Sequence, residues 1–306
     1  MARVLVADPI AESAVEKMKS AGLEIVIRDK EKDGPLEEQI KGFDCIIVRS
    51  ATKITREVIN AADSLRLIVR AGVGLDNVDQ EAAKEKGIKV MNTPEAPSVS
   101  VAEMVFAHMF ALSRNITQAD ASMKSERWEK KKLKGTELWN KTLGIIGFGR
   151  IGMEVARRAK AFGMTILYTS RSDTEAKRMA ERETGAKRVD LDTLLRSSDF
   201  VSIHVSLTDE TRYLIDRSKL ALMKPTAFII NTARGGVIDE KALIKALDEG
   251  KIAGAGLDVF ETEPPDDWTL AKHPKVVATP HIASSTVEAQ ARVGDLTAEK
   301  VIKELT

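Results

Sequence analysis

The stretch that decides the fold is Leu143-Gly144-Ile145-Ile146-Gly147-Phe148-Gly149-Arg150-Ile151-Gly152. Leu143–Ile146 reads as a buried strand, and the residues from Ile151 to Phe162 read as a helix. Between them the glycines fall at the spacing G-x-G-x-x-G. Each has a physical task there: Gly147 makes the tight turn, Gly149 lets a pyrophosphate approach the backbone, and Gly152 lets helix and strand pack closely. The helix N-terminus adds unpaired N–H groups and the positive end of a dipole. A strand before the loop and a helix after it turn a weak motif into a dinucleotide-binding signal.

Such a unit usually carries an acid about twenty residues on, at the end of the second strand, to hold a ribose 2′-hydroxyl. Here the strand Thr165–Tyr168 runs into Thr169-Ser170-Arg171-Ser172, and the acid is missing. Asp173 lies too far along to replace it. Small hydroxyls followed by an arginine suit a 2′-phosphate, so NADP competes with NAD as the cofactor. The alternative is that Arg171 is only a surface charge beside a neutral pocket.

Outward from this unit, apolar runs alternate with helical patterns along the whole chain, as expected for parallel sheets covered on both faces. Val4–Ala7, Leu23–Ile27, Cys45–Val48, Leu67–Val69 and Ile88–Met91 read as strands of a first α/β unit. Asn92-Thr93-Pro94-Glu95-Ala96-Pro97 breaks the rhythm as a hinge does. Ser98 or Ser100 then caps a long apolar helix reaching about Asn115, buried between domains or at a subunit interface. Further strands follow at Phe200–His204, Ala227–Asn231, Gly254–Asp258 and Val276–Ala278, and a helix closes the chain from about Thr286 to Leu305.

Bulk properties exclude several classes. With 47 basic and 46 acidic residues the net charge is +1, which gives no footprint for nucleic acid or an anionic membrane. No run of about twenty apolar residues exists, because Glu103 and His108 interrupt the best candidate. No secretory leader is expected at the N-terminus. Cys45, the single cysteine, cannot form an internal disulfide and reads as a small buried hydrophobe, so a cytoplasmic location is expected.

Three strand ends carry ionisable groups: Arg234 in Asn231-Thr232-Ala233-Arg234-Gly235-Gly236, Glu261 and Glu263 after Asp258, and His281 in Thr279-Pro280-His281-Ile282. Ligands of doubly wound sheets bind outside the carboxyl ends of the strands, so these groups converge on the crevice of the glycine loop. Arg, Glu and His together suit hydride transfer at a 2-hydroxy acid. A histidine takes the hydroxyl proton, a carboxylate fixes its tautomer, and an arginine grips the substrate carboxylate. Of the other histidines, His108 reads as core and His273 as loop, while His204 lines the crevice or merely closes its strand.

Taken together, V-R-S-A-T-K-I-T (48–55), R-A-G-V-G-L-D-N-V-D (70–79), S-V-A-E (100–103), A-S-M-K (121–124), W-E-K-K-K-L-K-G-T-E-L (128–138), the glycine loop, N-T-A-R-G-G, G-L-D-V-F-E-T-E-P-P and T-P-H-I-A-S-S-T resemble the D-2-hydroxyacid dehydrogenase family from end to end. The resemblance implies a Rossmann domain, residues 96–284, inserted into a flavodoxin-like α/β substrate domain made of residues 1–95 and 285–306. It implies catalysis by Arg234, Glu263 and His281. Cofactor contacts fall on Gly147, Gly149, Arg150, Ile151, Gly152, Thr169, Ser170 and Arg171. They continue at His204, Thr211, Thr232, Ala233, Asp258 (toward the nicotinamide amide) and His281. Substrate contacts fall on Arg49, Ser50, Arg70, Val73, Gly74 and Arg234, with Arg49 and Arg70 on a substrate phosphate and Lys130 reaching a neighbouring subunit's site. The implied reaction joins D-3-phosphoglycerate and 3-phosphohydroxypyruvate, the entry to serine synthesis. The alternatives are a glyoxylate or hydroxypyruvate reductase using NADPH, and a non-catalytic dinucleotide sensor.

A small-molecule substrate, a homodimer and no metal are expected with it. Because the sequence stops at Thr306, no regulatory domain and no feedback by serine are expected. Three positions depart from the family pattern: Asn140 and Ala283 where glycine is usual, and Ser206 where proline is usual.

Overall fold

Cys45-Ile46-Ile47-Val48 has no exposed residue, because this strand lies inside a sheet covered on both faces. The computed structural model describes Met1–Thr306 throughout. The chain divides into two compact units, Met1–Pro97 with Ser284–Thr306, and Ser98–Ala283.

In the first unit the strands β1 (Arg3–Val6), β2 (Glu24–Ile27), β3 (Cys45–Val48), β4 (Leu67–Arg70) and β5 (Lys89–Asn92) alternate with α1 (Glu12–Ser20), α2 (Leu36–Gln39), α3 (Arg56–Ala61) and α4 (Gln80–Glu85). All pairings are parallel and the order is β2-β1-β3-β4-β5, the flavodoxin order. One face packs Leu5, Ile46 and Ile68 against Ile40, Val58 and Ala83; the other packs Val4, Val6 and Ile47 against Ala14 and Met18.

The second unit opens with α5 (Ser98–Ser113) and α6 (Ile116–Lys124). Its sheet is built from β6 (Thr142–Ile146), β7 (Thr165–Thr169), β8 (Lys187–Arg188), β9 (Phe200–Ile203), β10 (Phe228–Asn231), β11 (Gly254–Leu257) and β12 (Val276–Ala278). The helices between are α7 (Arg150–Ala161), α8 (Glu175–Thr184), α9 (Leu191–Ser197), α10 (Arg217–Leu220) and α11 (Glu240–Asp248). The strands run parallel in the order β12-β11-β10-β9-β6-β7-β8, so the winding reverses between β6 and β9. That switch point opens a crevice at the carboxyl ends of the strands. The last helix, α12 (Val287–Leu305), returns to the first unit and packs on α1 and β4.

Two local expectations shift. α5 begins at Ser98 itself, and Ser100 inside it donates to the Ala283 carbonyl (2.6 Å), so Ser100 is not its cap. The helix belongs to the layer covering β10, β11 and β12. No helix is long and apolar enough to cross a membrane.

Candidate functional site

The turn after β6 has φ +96° at Gly147, and a Cβ there would stand 2.5 Å from the His204 carbonyl oxygen. Only glycine satisfies both conditions. The Gly147 N–H bonds the Thr169 carbonyl (3.0 Å), tying the ends of β6 and β7 together. Phe148 is buried and stacks on Tyr168, ring centroids 3.9 Å apart.

Thr or Asp side chains cap α3, α4, α8, α9, α10, α11 and α12. Helix α7 instead starts after Gly149, with no side-chain cap and no acid in its first turn. A Cβ on Gly149 would meet nothing within 4 Å, so open space faces this helix end. The Thr232 hydroxyl, at the end of β10, is buried without a protein partner. A phosphate-bearing dinucleotide fits this set: free N–H groups, positive dipole and room for its oxygens.

At the end of β7, Ser170 and Ser172 share the ammonium of Lys177, while Arg171 pairs with Glu210 (2.9 Å). His204 holds Ser202 through Nε2 (2.8 Å), and burial pushes its pKa down to about 3, so the ring is neutral. Thr211 is committed to its own loop. Its Oγ1 donates to the Ser206 carbonyl (2.6 Å) and accepts from the Thr208 N–H (2.7 Å).

The ends of β10, β11 and β12 bring the ionisable groups together. Asn231 shapes the turn, donating through Nδ2 to the Arg234 carbonyl (2.8 Å) and accepting the Ala233 N–H (3.0 Å). Gly235 lets that turn lie against the next strand end, since a Cβ would fall 2.0 Å from the Phe260 carbonyl carbon. Glu263 accepts the Phe260 N–H through Oε1 (3.1 Å) and meets His281 Nδ1 through Oε2 (2.6 Å). Burial pushes the Glu263 carboxyl up. The His281 hydrogen bond and the charges of His281 and Arg234 outweigh it, leaving the pKa below the usual carboxylate range.

His281 has φ +53°, a conformation that carries strain for a side chain of its size. The turn is held by Asp258, whose Oδ1 accepts from Thr279 Oγ1 (2.6 Å) and the Ile282 N–H (2.9 Å), and whose Oδ2 accepts the Ala283 N–H (2.8 Å). The Asp258 backbone carbonyl takes the His281 N–H (2.8 Å). Asp258 is fully buried, and its carboxylate fixes the 279–283 turn. A carboxylate can only accept, so Nδ1 of His281 carries the proton and Nε2 is left to exchange one.

In the first unit, a cavity of about 600 Å³ at the ends of β1, β2 and β3 is lined by Arg28, Lys30, Arg49 and Ser50, with Asp8 beneath. Asp8 is 2% exposed and accepts from the Arg49 N–H (2.7 Å), Lys30 Nζ (2.7 Å) and Thr52 Oγ1 (2.8 Å). Asn77 closes the same turn from the other side, donating to the carbonyls of Arg49 and Thr52 (both 2.6 Å). Burial pushes Asp8 up, but its bonds to Lys30, Arg49 and Thr52 hold it below the usual range.

Arg70 ends β4 and lays its guanidinium where Gly72 lacks a Cβ. The Val73 carbonyl accepts from Asn92 (2.5 Å), and Gly74 follows in the same loop. Lys130 lies in an exposed turn, Lys130–Lys132. Asp8, Asn77, Asn231 and Lys177 carry much of this geometry, yet sequence motifs gave them no role. For Asp8, Asn77 and Asn231 the only signal is an Asp or Asn in a turn-forming stretch, the ordinary mark of a side chain that shapes a turn; Lys177, on α8, carries none.

Residues 106–283 match the family model described as D-isomer specific 2-hydroxyacid dehydrogenase, NAD binding domain. The chain is 48% identical to the D-3-phosphoglycerate dehydrogenase of Methanocaldococcus jannaschii over 100% of this chain and 58% of that one. It thus spans a little over half the length of that relative. It is 50% identical to the hydroxypyruvate reductase of Thermotoga maritima, over 99% of this chain and 98% of that one. A crystal structure of D-lactate dehydrogenase from Aquifex aeolicus, complexed with NAD and lactic acid, superposes with a TM-score of 0.85 at 33% identity, covering 98% and 94% of the two chains. The glycine cradle, the paired Glu263 and His281, and these likenesses agree: the chain belongs to the D-2-hydroxyacid dehydrogenase family and takes a nicotinamide dinucleotide.

Proposed function

We propose that the protein transfers hydride between a nicotinamide dinucleotide, NAD(H) or NADP(H), and C2 of a D-2-hydroxy acid, with D-3-phosphoglycerate and 3-phosphohydroxypyruvate as the substrate pair. The observation that carries the chemistry is the 2.6 Å contact between His281 Nδ1 and Glu263 Oε2. Bound dinucleotide would rest on Gly147, Gly149, Arg150, Ile151, Gly152 and Thr232, and it supplies the hydride acceptor or donor. In oxidation Nε2 of His281 takes the hydroxyl proton, and Glu263 steadies the resulting imidazolium. Arg234 grips the substrate carboxylate and polarises the C2 oxygen. Asp258 and Asn231 keep the two turns in place.

The substrate assignment rests on Arg49, Ser50 and Arg70, which offer cations and a hydroxyl for a phosphate, with Val73 and Gly74 for the carboxylate. The phosphoglycerate dehydrogenases among the relatives support it. One observation favours a second reading, a hydroxypyruvate or glyoxylate reductase: a relative matched over 98% of its own length is named a hydroxypyruvate reductase. Initial rates with 3-phosphoglycerate, phosphohydroxypyruvate, hydroxypyruvate and glyoxylate, each with both dinucleotides, decide between them. Good turnover of glyoxylate beside none of phosphohydroxypyruvate would sink the first reading.

We also propose a homodimer in which Lys130 serves the partner's site. The exposed apolar side chains of Ile116, Met123 and Trp128 support it. Light scattering that finds only a monomer at assay concentration rules it out.

A further inference from the structure

The end of β7 carries an arrangement that hydride transfer alone does not explain. Lys177, in the first turn of α8, is 9% exposed, and its ammonium touches only neutral oxygens. Nζ donates to Ser170 Oγ (2.6 Å), Ser172 Oγ (2.6 Å) and the Ser172 carbonyl (2.9 Å). Arg188, from β8, donates to the Ser170 carbonyl (2.5 Å) and has no ion pair. Asp173, the acid whose charge reaches Lys177, is itself paired with Arg178 (2.9 Å). Burial, and then the charge of Arg188, push the Lys177 pKa down and outweigh the opposing charge of Asp173. Two cations are therefore held near each other with neither in an ion pair, an arrangement that an incoming anion relieves.

The hydrogen-bond polarity points the same way. A lysine ammonium has three donors and no acceptor. A serine oxygen that accepts from it must turn its own proton elsewhere. Ser170 turns its proton to the Ser172 carbonyl (3.2 Å) within the loop, and Lys177 thereby leaves Ser172 as the polarised donor. An acid at this strand end would accept from a ribose 2′-hydroxyl; donors and cations instead select an acceptor-only group with negative charge. Arg171 stands beside them, held only by an exposed pair with Glu210, both side chains more than 70% exposed. Such a pair is weak in water and releases its arginine at little cost.

We propose that Ser170, Arg171, Ser172 and Arg188 form a 2′-phosphate site, that the protein accordingly prefers NADP(H) to NAD(H), and that Lys177 is the positioning residue that holds the serine pair and turns the Ser172 hydroxyl toward that phosphate. The site lies next to the glycine cradle, because Gly147 N–H is bonded to the Thr169 carbonyl. The proposal rests on the hydride-transfer reading only for the nicotinamide half of the ligand.

Calorimetric titration of the full chain tests it without turnover, using NADPH, NADH, adenosine 2′,5′-bisphosphate and adenosine 5′-monophosphate. The expected result is binding of NADPH at least about tenfold tighter than NADH, with the bisphosphate ahead of the monophosphate in the same sense. K177M, which keeps the aliphatic stem, should cut the NADPH:NADH affinity ratio by about tenfold, and K177R should restore part of it. T169D, which reinstates the acid, should move the preference toward NADH. Wild-type protein that binds NADH as tightly as NADPH overturns the proposal. Equal losses for both dinucleotides in K177M overturn the role of Lys177 and leave it a loop brace. Should K177M fail to fold, S170A/S172A, which keeps the lysine, carries the same ratio test. Preference for the bisphosphate with no turnover on any 2-oxo acid would uphold this site while refuting the hydride-transfer reading.

Discussion

The two ends of the second unit's crevice handle charge in opposite ways. At the ends of β11 and β12, Glu263 meets His281, with Arg234 close enough to lower its pKa, so the charges are matched before any ligand arrives. At the end of β7, Lys177 and Arg188 make no ion pair and lean on serine hydroxyls and carbonyls. A site that moves protons needs its pair assembled in advance, since preorganisation is where the rate comes from. A site that only holds an anion can leave its cations for the ligand to neutralise.

The contrast can be broken experimentally, most severely at His281. H281A should lower kcat/KM by about 10² to 10⁴, the usual worth of a general acid–base, while dinucleotide affinity by titration stays within about threefold. A loss under tenfold would remove His281 from the chemistry. E263Q should cost less, because the amide can still accept from Nδ1 but no longer stabilises the imidazolium. About 10- to 100-fold in kcat is expected, with little change in KM.

A pair of glycine substitutions separates structure from binding. G235A drives a Cβ into the Phe260 backbone and should lower the Tm together with activity. G149A enters open space and should leave the Tm in place while weakening both dinucleotides, the backbone no longer being bare to the phosphates. A Tm drop in G149A equal to that in G235A would contradict the cradle.

The smallest expected effect is on acid stability. The Glu263 carboxyl lies below its ordinary value, so its contribution is complete above the unfolded-state pKa and is lost as the pH falls through the lowered one. Unfolding of wild type below about pH 4.5 should steepen slightly relative to E263Q. The effect is modest because both side chains are more than a third exposed.

The same contrast accounts for what the sequence made legible. The glycine loop is built from backbone, and its requirements are written at fixed spacing, so the fold and cradle were readable before any coordinates. Arg234, Glu263 and His281 were readable because each follows a strand of an α/β series. Lys177 was not: it sits on the next helix, and its meaning depends on being buried against two serine hydroxyls. The part Asp258 plays in holding the 279–283 turn is likewise absent from the sequence, because spacing shows position and not orientation. Asn140 was noted as a departure from glycine without a reason. Its φ of +59° supplies one, since asparagine tolerates the left-handed region better than other residues with a side chain.

The return of α12 to the first unit has a consequence for how the molecule is made. Its Ala298 and Val301 are buried with Val4, Val6 and Ile47, and Lys300 anchors it to the Asn92 carbonyl (2.6 Å). During synthesis the second unit, contiguous from Ser98 to Ala283, leaves the ribosome complete. The first unit, begun earlier, must wait with one apolar face of its sheet unclosed until the final helix emerges. The order of birth is therefore the reverse of the order of completion, and the nascent N-terminal segment is where a holding chaperone has most to protect.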